Sequence, residues 1–274
     1  MITQRLPFLL PLRHAQRRAF HYAGRRLDGH TYARAIYPER LPHLLFSASN
    51  GLYNANMGFD MTLQGNKVFN SKLAARTMDG LLIRPGETFS FWQVVRDADR
   101  HTPYRDGSVV RNGKLCVAYG GGLCQLSNLL FWVFLNSPLT IVERQTHRVK
   151  DFPTLRNLEP EGVDATISEG WIDLRMKNET DATFQIAVAF DSESITVSLY
   201  TDRPMPSRHE IEGRNLTYFR KNGKVYQRIS IYRRETAVET GEVLSNELLY
   251  TNLCVIEYEL PERTTILEGT SVFA

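Results

Sequence analysis

A single cysteine, Cys124, lies where a glycine-rich turn meets an apolar segment. Residues 120–123 read Gly-Gly-Gly-Leu, and residues 124–135 contain neither glycine nor proline, so we predict a helix that begins at Cys124. The first amides of a helix lack intrahelical partners and its dipole favours negative charge, which biases such a cysteine toward the thiolate. The glycines let the backbone approach a ligand and leave amides for a developing oxyanion. The alternative is a core thiol after an ordinary turn.

A cysteine nucleophile needs a base or ion-pair partner, and His147 is the candidate. The other histidines lie in the basic N-terminal region or in polar segments typical of loops. His147 follows a β-branched run, 139–143, which we predict to be a strand directly after the cysteine helix. That order brings the end of a strand to the start of a helix, as in the papain-like superfamily of cysteine enzymes. The alternative is a histidine in a surface loop.

The group that orients the histidine is left open among three carboxylates. We rank Asp164 first because it opens the strand predicted after the histidine, where it could reach the far ring nitrogen. We expect Asp173 to face solvent on an alternating strand, and Glu143 to pair with a neighbouring arginine.

The oxyanion and substrate contacts are predicted around the glycine turn. The amide of Cys124 and the amides around Gly122 and Leu123 are the candidate donors, and Gly121 belongs to the same predicted oxyanion and substrate contacts. Gln125 and Ser127 could assist by hydrogen bonding, although capping and helix packing explain both residues equally well. This chemistry needs no cofactor and no metal, and the three cysteines of the chain lack zinc-ligand spacing.

The elements around these residues predict an α+β fold. A buried helix with the cysteine at its N-terminus packs on a mostly antiparallel sheet, in the papain-like order of cysteine helix and then histidine strand. A helix over 66–78 would turn Val68, Leu73 and Ala74 inward. Asn-Gly pairs at 112–113 and 222–223 indicate hairpins. The remaining strands are predicted at 82–83, 88–91, 165–167, 171–176, 184–190, 195–200 and 252–260.

Three regions follow from this pattern. Residues 1–65 are predicted to form a basic, mainly helical N-terminal arm, residues 66–203 the core domain, and residues 204–274 an accessory β region in which we expect no chemistry.

Composition restricts the class of protein. The chain has 274 residues, 42% of them hydrophobic and 23% charged, with a net charge of +3, which excludes a disordered or fibrous chain and does not favour nucleic acid as a partner. Eight arginines fall within residues 1–42, so this segment could touch an anionic membrane, or be a solvated helical face. The sequence shows no secretory segment and contains only three cysteines. We therefore expect a cytoplasmic protein, peripheral at the inner membrane surface.

Several motifs follow one another along the chain. They are Arg-Pro-Gly-Glu-Thr-Phe-Ser-Phe-Trp at 84–92, Asn-Gly-Lys at 112–114, Gly-Gly-Gly-Leu-Cys-Gln-Leu-Ser-Asn at 120–128, Pro-Leu-Thr-Ile-Val-Glu-Arg at 138–144, and His147. In this order they resemble the VanW family, named for an accessory protein of vancomycin B-type resistance clusters. The resemblance runs from about residue 66 to residue 178, and the chain is similar to the short, leaderless members in particular.

The resemblance implies a chemistry. Some exported relatives are L,D-transpeptidases that join peptidoglycan stem peptides through a cysteine acyl-enzyme, with Cys124 in the place of the nucleophile and His147 in that of its partner. Many members have serine after this histidine, whereas this chain has Arg148. We therefore expect a cysteine acyltransferase that acts on stem peptides or their precursors. The alternatives are a non-catalytic cell-envelope accessory protein and a redox-sensing thiol that uses Cys116.

Overall fold

The computed structural model describes residues 10–53, 60–111, 114–150 and 160–268. Within these ranges the fold is α+β and rich in sheet, as the sequence predicts. The helices there are α1 (Leu10–Gly24), α2 (Met61–Ala75), α3 (Phe91–Val94) and α4 (Cys124–Leu135). The strands are β1 (Thr31–Tyr32), β2 (His43–Gly51), β3 (Leu82–Ile83), β4 (Glu87–Ser90), β5 (Asp106–Arg111), β6 (Lys114–Tyr119), β7 (Thr140–Glu143), β8 (Val149–Lys150), β9 (Arg175–Lys177), β10 (Phe184–Phe190), β11 (Ser194–Thr201), β12 (Ser207–Lys221), β13 (Lys224–Ala237), β14 (Val243–Ile256) and β15 (Ile266–Glu268).

Helix α4 lies at the centre of the molecule. It is apolar on nearly every face, and nine of its twelve residues are buried, as expected of a helix enclosed on all sides. The helix ends where Ser137 donates its hydroxyl to the carbonyl of Phe134 and Pro138 follows. Aromatic contacts join α4 to a strand of each of three sheets: Trp132 to Phe46 of β2, Phe134 to Phe89 of β4, and Phe131 to Tyr250 of β14.

The sheets surround this helix. Two four-stranded sheets have the orders β1-β4-β9-β7 and β2-β11-β10-β3, and a five-stranded sheet has the order β15-β12-β13-β14-β8. Most pairs are antiparallel, and the parallel ones are β1 with β4, β12 with β15, and β14 with β8. Strands β5 and β6 form a separate hairpin whose Asn-Gly turn at 112–113 lies outside the described residues.

Helix α2 confirms the helix predicted near residues 66–78. It begins earlier because Asp60 caps it, accepting a hydrogen bond of 2.7 Å from the amide of Thr62. Val68, Leu73 and Ala74 are buried, as their spacing predicts.

The C-terminal sheet confirms the second hairpin. Asn222 and Gly223 join β12 to β13 with φ of 50° and 74°, the left-handed conformations that this two-residue turn requires. The same sheet takes up β8, which starts two residues after His147 and pairs in parallel with β14. It therefore adjoins the predicted site.

The N-terminal region differs from the prediction. Within it α1 covers Leu10–Gly24, but residues 43–51 form β2, which pairs with β11 along its length. The run Leu44-Leu45-Phe46 followed by small polar residues forms a half-buried strand, and Phe46 packs on α4. The expectation of a mainly helical arm through residue 65 is therefore wrong. None of the helices in the described ranges has the length and apolar character needed to span a membrane.

The strand predicted at 165–167 is also absent, and that at 171–176 is reduced to β9. Residue 166 forms a single bridge with Gln145. Instead, two side chains of α4 bind the backbone of Ala165. Its amide donates to Asn128 at 2.8 Å, and its carbonyl accepts from Ser127 at 2.7 Å. Bound to the helix in this way, Ala165 has both backbone groups engaged and contributes neither to a regular ladder.

Candidate active site

Cys124 is the first residue of α4, as predicted, and its side chain is half-buried. Leu123 precedes it without a side-chain capping hydrogen bond. Among the described residues, backbone carbonyls accept the amides of Gly120, Gly121 and Gln125, but none is found for those of Leu123 and Cys124. The amides of Leu123 and Cys124 therefore lie at the positive end of the helix dipole without a backbone acceptor in the described part of the chain.

The glycine turn is fixed by close packing. Gly122 has φ of 97°, and a Cβ there would collide with the side chain of Lys67 on α2. Gly121 lies against the backbone of Gly107 so closely that a Cβ on either residue would overlap the other. The buried amide of Asn70 donates to the carbonyl of Gly121 at 2.9 Å. Packing therefore requires glycine at both positions and sets the direction in which α4 starts.

His147 lies in the loop between β7 and β8, and its ring bridges Asp164 and Cys124. Nδ1 of the ring is 2.8 Å from Oδ2 of Asp164, and the backbone amide of His147 donates to the same oxygen at 2.8 Å. The ring also lies close enough to the Cys124 side chain for each group to shift the pKa of the other. Because Nδ1 is bound to the carboxylate, Nε2 is the nitrogen left for the sulfur. The structure thus brings these three predicted residues together.

Asp164 is held by several donors besides His147. Its Oδ1 accepts hydrogen bonds from Arg144 at 2.8 Å, Thr146 at 2.8 Å and Asn252 at 3.2 Å. Arg144 also donates to the carbonyl of Asp164 at 2.7 Å and to Oδ1 of Asn252 at 2.6 Å. With both carboxylate oxygens engaged, Asp164 has a fixed orientation toward the histidine ring.

These contacts set the charges of the site. Burial alone would lower the pKa of His147, but hydrogen bonds to Asp164 and Cys124 outweigh it and raise that pKa to about 10. Burial also opposes ionisation of Asp164, yet the His147 hydrogen bond and the charge of Arg144 lower its pKa to about 2. Burial opposes the thiolate as well, yet His147 holds the pKa of the Cys124 thiol below its ordinary value. Together these contacts favour the charged pair of thiolate and imidazolium over the neutral thiol and imidazole.

Two further groups that the sequence analysis did not single out stabilise the thiolate. The Thr166 side chain and the Ile167 backbone also lower the pKa of Cys124. The Cys124 sulfur lies 4.0 Å from the carbonyl oxygen of Ile167. Both belong to the irregular segment after Asp164. A segment with such mixed polarity reads as an ordinary strand, so only its attachment to α4 reveals the role.

The other predicted site residues occupy different places. Ser127 is buried and donates to the carbonyls of Cys124 and Ala165, so it ties the segment after Asp164 to the helix. Gln125 donates to the carbonyl of Gly51 at the end of β2. Arg148 is exposed, and its carbonyl accepts the amide of Val255 on β14.

The two carboxylates ranked below Asp164 lie in a separate cluster under α1. Glu143 pairs with Arg25 and Arg175, which confirms its expected pairing with arginine. Asp173 is fully buried and accepts from the hydroxyl of Ser90 at 2.5 Å, so the expectation that it faces solvent is wrong. Burial raises the pKa of Asp173 to about 6. The alternation that predicted exposure fails because this stretch is not a strand.

The remaining thiols have different surroundings. Cys254 on β14 is buried, and burial raises the pKa of its thiol to about 11. Cys116 on β6 is half-buried. Among the described residues, no group of three or more histidine, cysteine, aspartate or glutamate side chains is arranged to hold a metal ion.

Comparison with known proteins bears on the same residues. The family model described as VanW like protein matches residues 66–200, which include Cys124, His147 and Asp164. The chain is 54% identical over 268 residues to the vancomycin B-type resistance protein VanW of Enterococcus faecalis, with 98% of each chain covered. The chain belongs to the VanW family.

A second relative is more distant. The uncharacterized protein YoaR of Bacillus subtilis is 31% identical over 173 residues, which are 63% of this chain and 55% of that protein. No solved structure matches the chain. The VanW-family assignment therefore rests on sequence, and the geometry of the cysteine site comes from the present structure.

Proposed function

We propose that this VanW-family protein is a cysteine-dependent acyltransferase of the L,D-transpeptidase type. The observation that carries the proposal is the array in which Asp164 hydrogen-bonds the ring of His147 and that ring lies beside Cys124 at the start of α4. Arg144 and Thr146 hold Asp164 with more hydrogen bonds than an exposed ion pair would have. The fixed carboxylate then favours one orientation of the His147 ring. We further propose that the arrangement corresponds to the cysteine helix and histidine strand of papain-like enzymes.

The proposed reaction has two steps. The Cys124 thiolate attacks the carbonyl carbon of an acyl donor, and the amides of Leu123 and Cys124 stabilise the oxyanion. His147 gives its Nε2 proton to the leaving amine as the carbon–nitrogen bond breaks and a thioester remains. An acceptor amine then attacks the thioester while His147 takes its proton, which releases the new amide and the thiolate. Water as the acceptor gives hydrolysis instead.

The proposed acyl donor is a peptidoglycan stem peptide or its precursor. The resemblance to a family with exported L,D-transpeptidases supports this class of acyl donor. So does the match, over nearly the full length of both chains, to a relative named for resistance to vancomycin. We propose a role in cell-wall metabolism or glycopeptide resistance. The proposed location is the cytoplasm, at the inner membrane surface, where lipid-linked precursors are made.

Intact-protein mass spectrometry tests the proposal. The full chain is mixed with synthetic stem peptides that end in either D-alanine or D-lactate, quenched in acid, and weighed. We expect an adduct equal to the donor minus its leaving group, and we expect Cys124→Ser to abolish it.

Cys254→Ser and Cys116→Ser are the matched controls, because each removes a thiol outside the array and should leave the adduct unchanged. Absence of any adduct from a protein whose Cys124 alkylates rapidly would overturn the substrate class. A slowly alkylated Cys124, together with full function of Cys124→Ser in a resistance assay, would favour the non-catalytic accessory protein.

A further inference from the structure

Helix α1 has its apolar side outward. Leu12 and Phe20 are 70% and 68% exposed, and Leu27 in the turn after the helix is 86% exposed. At 100° per residue, Leu12 and Phe20 lie about 80° apart on the helix. Gln16, Ala19 and Ala23 fall between or beside them and are also exposed.

The polar side of α1 faces the protein. Tyr22 is buried and donates to Glu169, and Arg25 pairs with Glu143. Arg18 pairs with Glu169 at 3.0 Å. A surface helix of a globular protein ordinarily buries its apolar stripe, so the orientation of α1 is inverted and leaves that stripe for a partner.

Basic groups border the apolar stripe. From residue 10 to residue 27 the sequence contains arginine but no acidic residue. A groove of about 390 Å³ beside the stripe is lined by Arg18, Arg26, Arg96 and Tyr22, with Asp97 as its acidic group. Arg26 and Arg96 are exposed. Since Glu169 offsets Arg18 and Asp97 offsets one more arginine, the groove keeps an excess of positive charge.

An exposed tryptophan extends the same region. Trp171 is 63% exposed, and the guanidinium of Arg17 lies 4.2 Å from the centre of its ring. Tryptophan, phenylalanine and leucine beside arginine are the composition of helices that lie in a membrane interface.

We propose that this α1 face, made of Leu12, Phe20, Leu27 and Trp171 with the adjoining arginine groove, docks on an anionic phospholipid surface. The apolar side chains enter the acyl boundary while the groove takes a headgroup phosphate. A second copy of the chain is a poor occupant, because two such faces would bring arginine against arginine. Docking does not depend on chemistry at Cys124, so membrane binding and acylation can fail separately.

Vesicle co-sedimentation of the full chain tests the docking. We expect binding to vesicles of phosphatidylglycerol and phosphatidylcholine and little binding to phosphatidylcholine alone. Phe20→Asp should weaken binding by about tenfold or more, since it puts a charge into the acyl boundary. Arg26→Glu should weaken it by roughly fivefold or more at low salt.

Matched controls lie on the C-terminal sheet. Leu248 is 52% exposed on β14, and the Arg208 side chain is 67% exposed on β12. Leu248→Asp and Arg208→Glu should bind as the unaltered protein does. On binding, tryptophan emission should shift to the blue, and Trp171→Phe should remove that shift.

Three results would overturn the proposal. One is an unaltered protein that stays in the supernatant with anionic vesicles. Another is equal loss of binding in Phe20→Asp and Leu248→Asp. The third is a dimer in lipid-free solution that Phe20→Asp dissociates, which would assign the face to self-association.

Discussion

Replacement of Asp164 by asparagine tests whether one carboxylate sets both the charge and the stability of the cysteine site. The change keeps the shape of the side chain but removes the charge that His147 and Arg144 share. Without it, we expect the pKa of His147 to fall from about 10, which weakens the imidazolium that stabilises the thiolate. We therefore expect the pH midpoint of Cys124 alkylation to rise toward the value of a free thiol, about 8.5.

The cost in stability can be worked in two ways. Folding lowers the pKa of Asp164 from its ordinary value of 3.8 to about 2, and at about 1.4 kcal/mol per unit this corresponds to roughly 2 kcal/mol. Arg144 is almost fully buried, and leaving such a charge without its partner costs about 3–5 kcal/mol. Because asparagine can still form some of the hydrogen bonds, we expect a loss of about 2–3 kcal/mol at pH 7.

The pH dependence has a definite sign. Asp164 has a pKa depressed by folding, so its contribution is complete above about pH 4 and disappears as pH falls toward 2. Urea unfolding of the unaltered protein and of Asp164→Asn at pH 7 and at pH 3 measures this contribution. The difference in free energy of unfolding between the two proteins should be smaller at pH 3. The pH profile of iodoacetamide alkylation measures the pKa of the Cys124 thiol.

Asp173→Asn is the matched control. This carboxylate is also buried but belongs to the cluster under α1 and contacts Ser90 and Trp92. Its replacement should leave the alkylation profile unchanged. If Asp164→Asn alkylates with the unaltered midpoint and loses less than about 1 kcal/mol, Asp164 does not orient a charged histidine.

Other substitutions probe separate parts of the site. His147→Ala should raise the alkylation midpoint of Cys124 because the positive charge beside the sulfur is removed, and an unchanged profile would contradict the ion pair. Asn252→Ala should destabilise the protein by about 1–3 kcal/mol in urea unfolding, since Asp164 and the carbonyl of Gly162 lose a buried donor, whereas a loss near zero would show that water replaces it. Gly122→Ala should cost about 2 kcal/mol or more, because φ is 97° and the added Cβ meets α2, and a thermal midpoint equal to that of the unaltered protein would refute the clash.

The cysteine helix and its histidine could be predicted because their signals are local. Residues 124–135 are apolar without a breaker, and the next strand ends shortly before His147. Chain order alone then brings the two side chains together. Asp164 ranks first among the carboxylates on the basis of a strand that does not form, but it reaches His147 from an irregular segment that α4 holds in place.

The support of Asp164 could not be predicted. Arg144 and Asn252 are separated by 108 positions and meet only because β8 joins the C-terminal sheet beside β14. A parallel pairing of two residues leaves no periodic pattern in the sequence. The C-terminal region, in which we expected no chemistry, therefore supplies a hydrogen bond to the carboxylate of the site.

One short segment joins the thiol site to the α1 face. The segment from Asp164 to Trp171 carries the carboxylate and Thr166 at one end, and Glu169 and Trp171 against α1 at the other. Gly170, with φ of 79°, lets its turn lie directly on the backbone of α1. A lipid surface bound at α1 would thus be tied by about eight residues of fixed chain to the groups that hold His147. If both proposals hold, the reactive sulfur has a set orientation to the membrane, and a lipid-linked acyl donor would reach it from one side only.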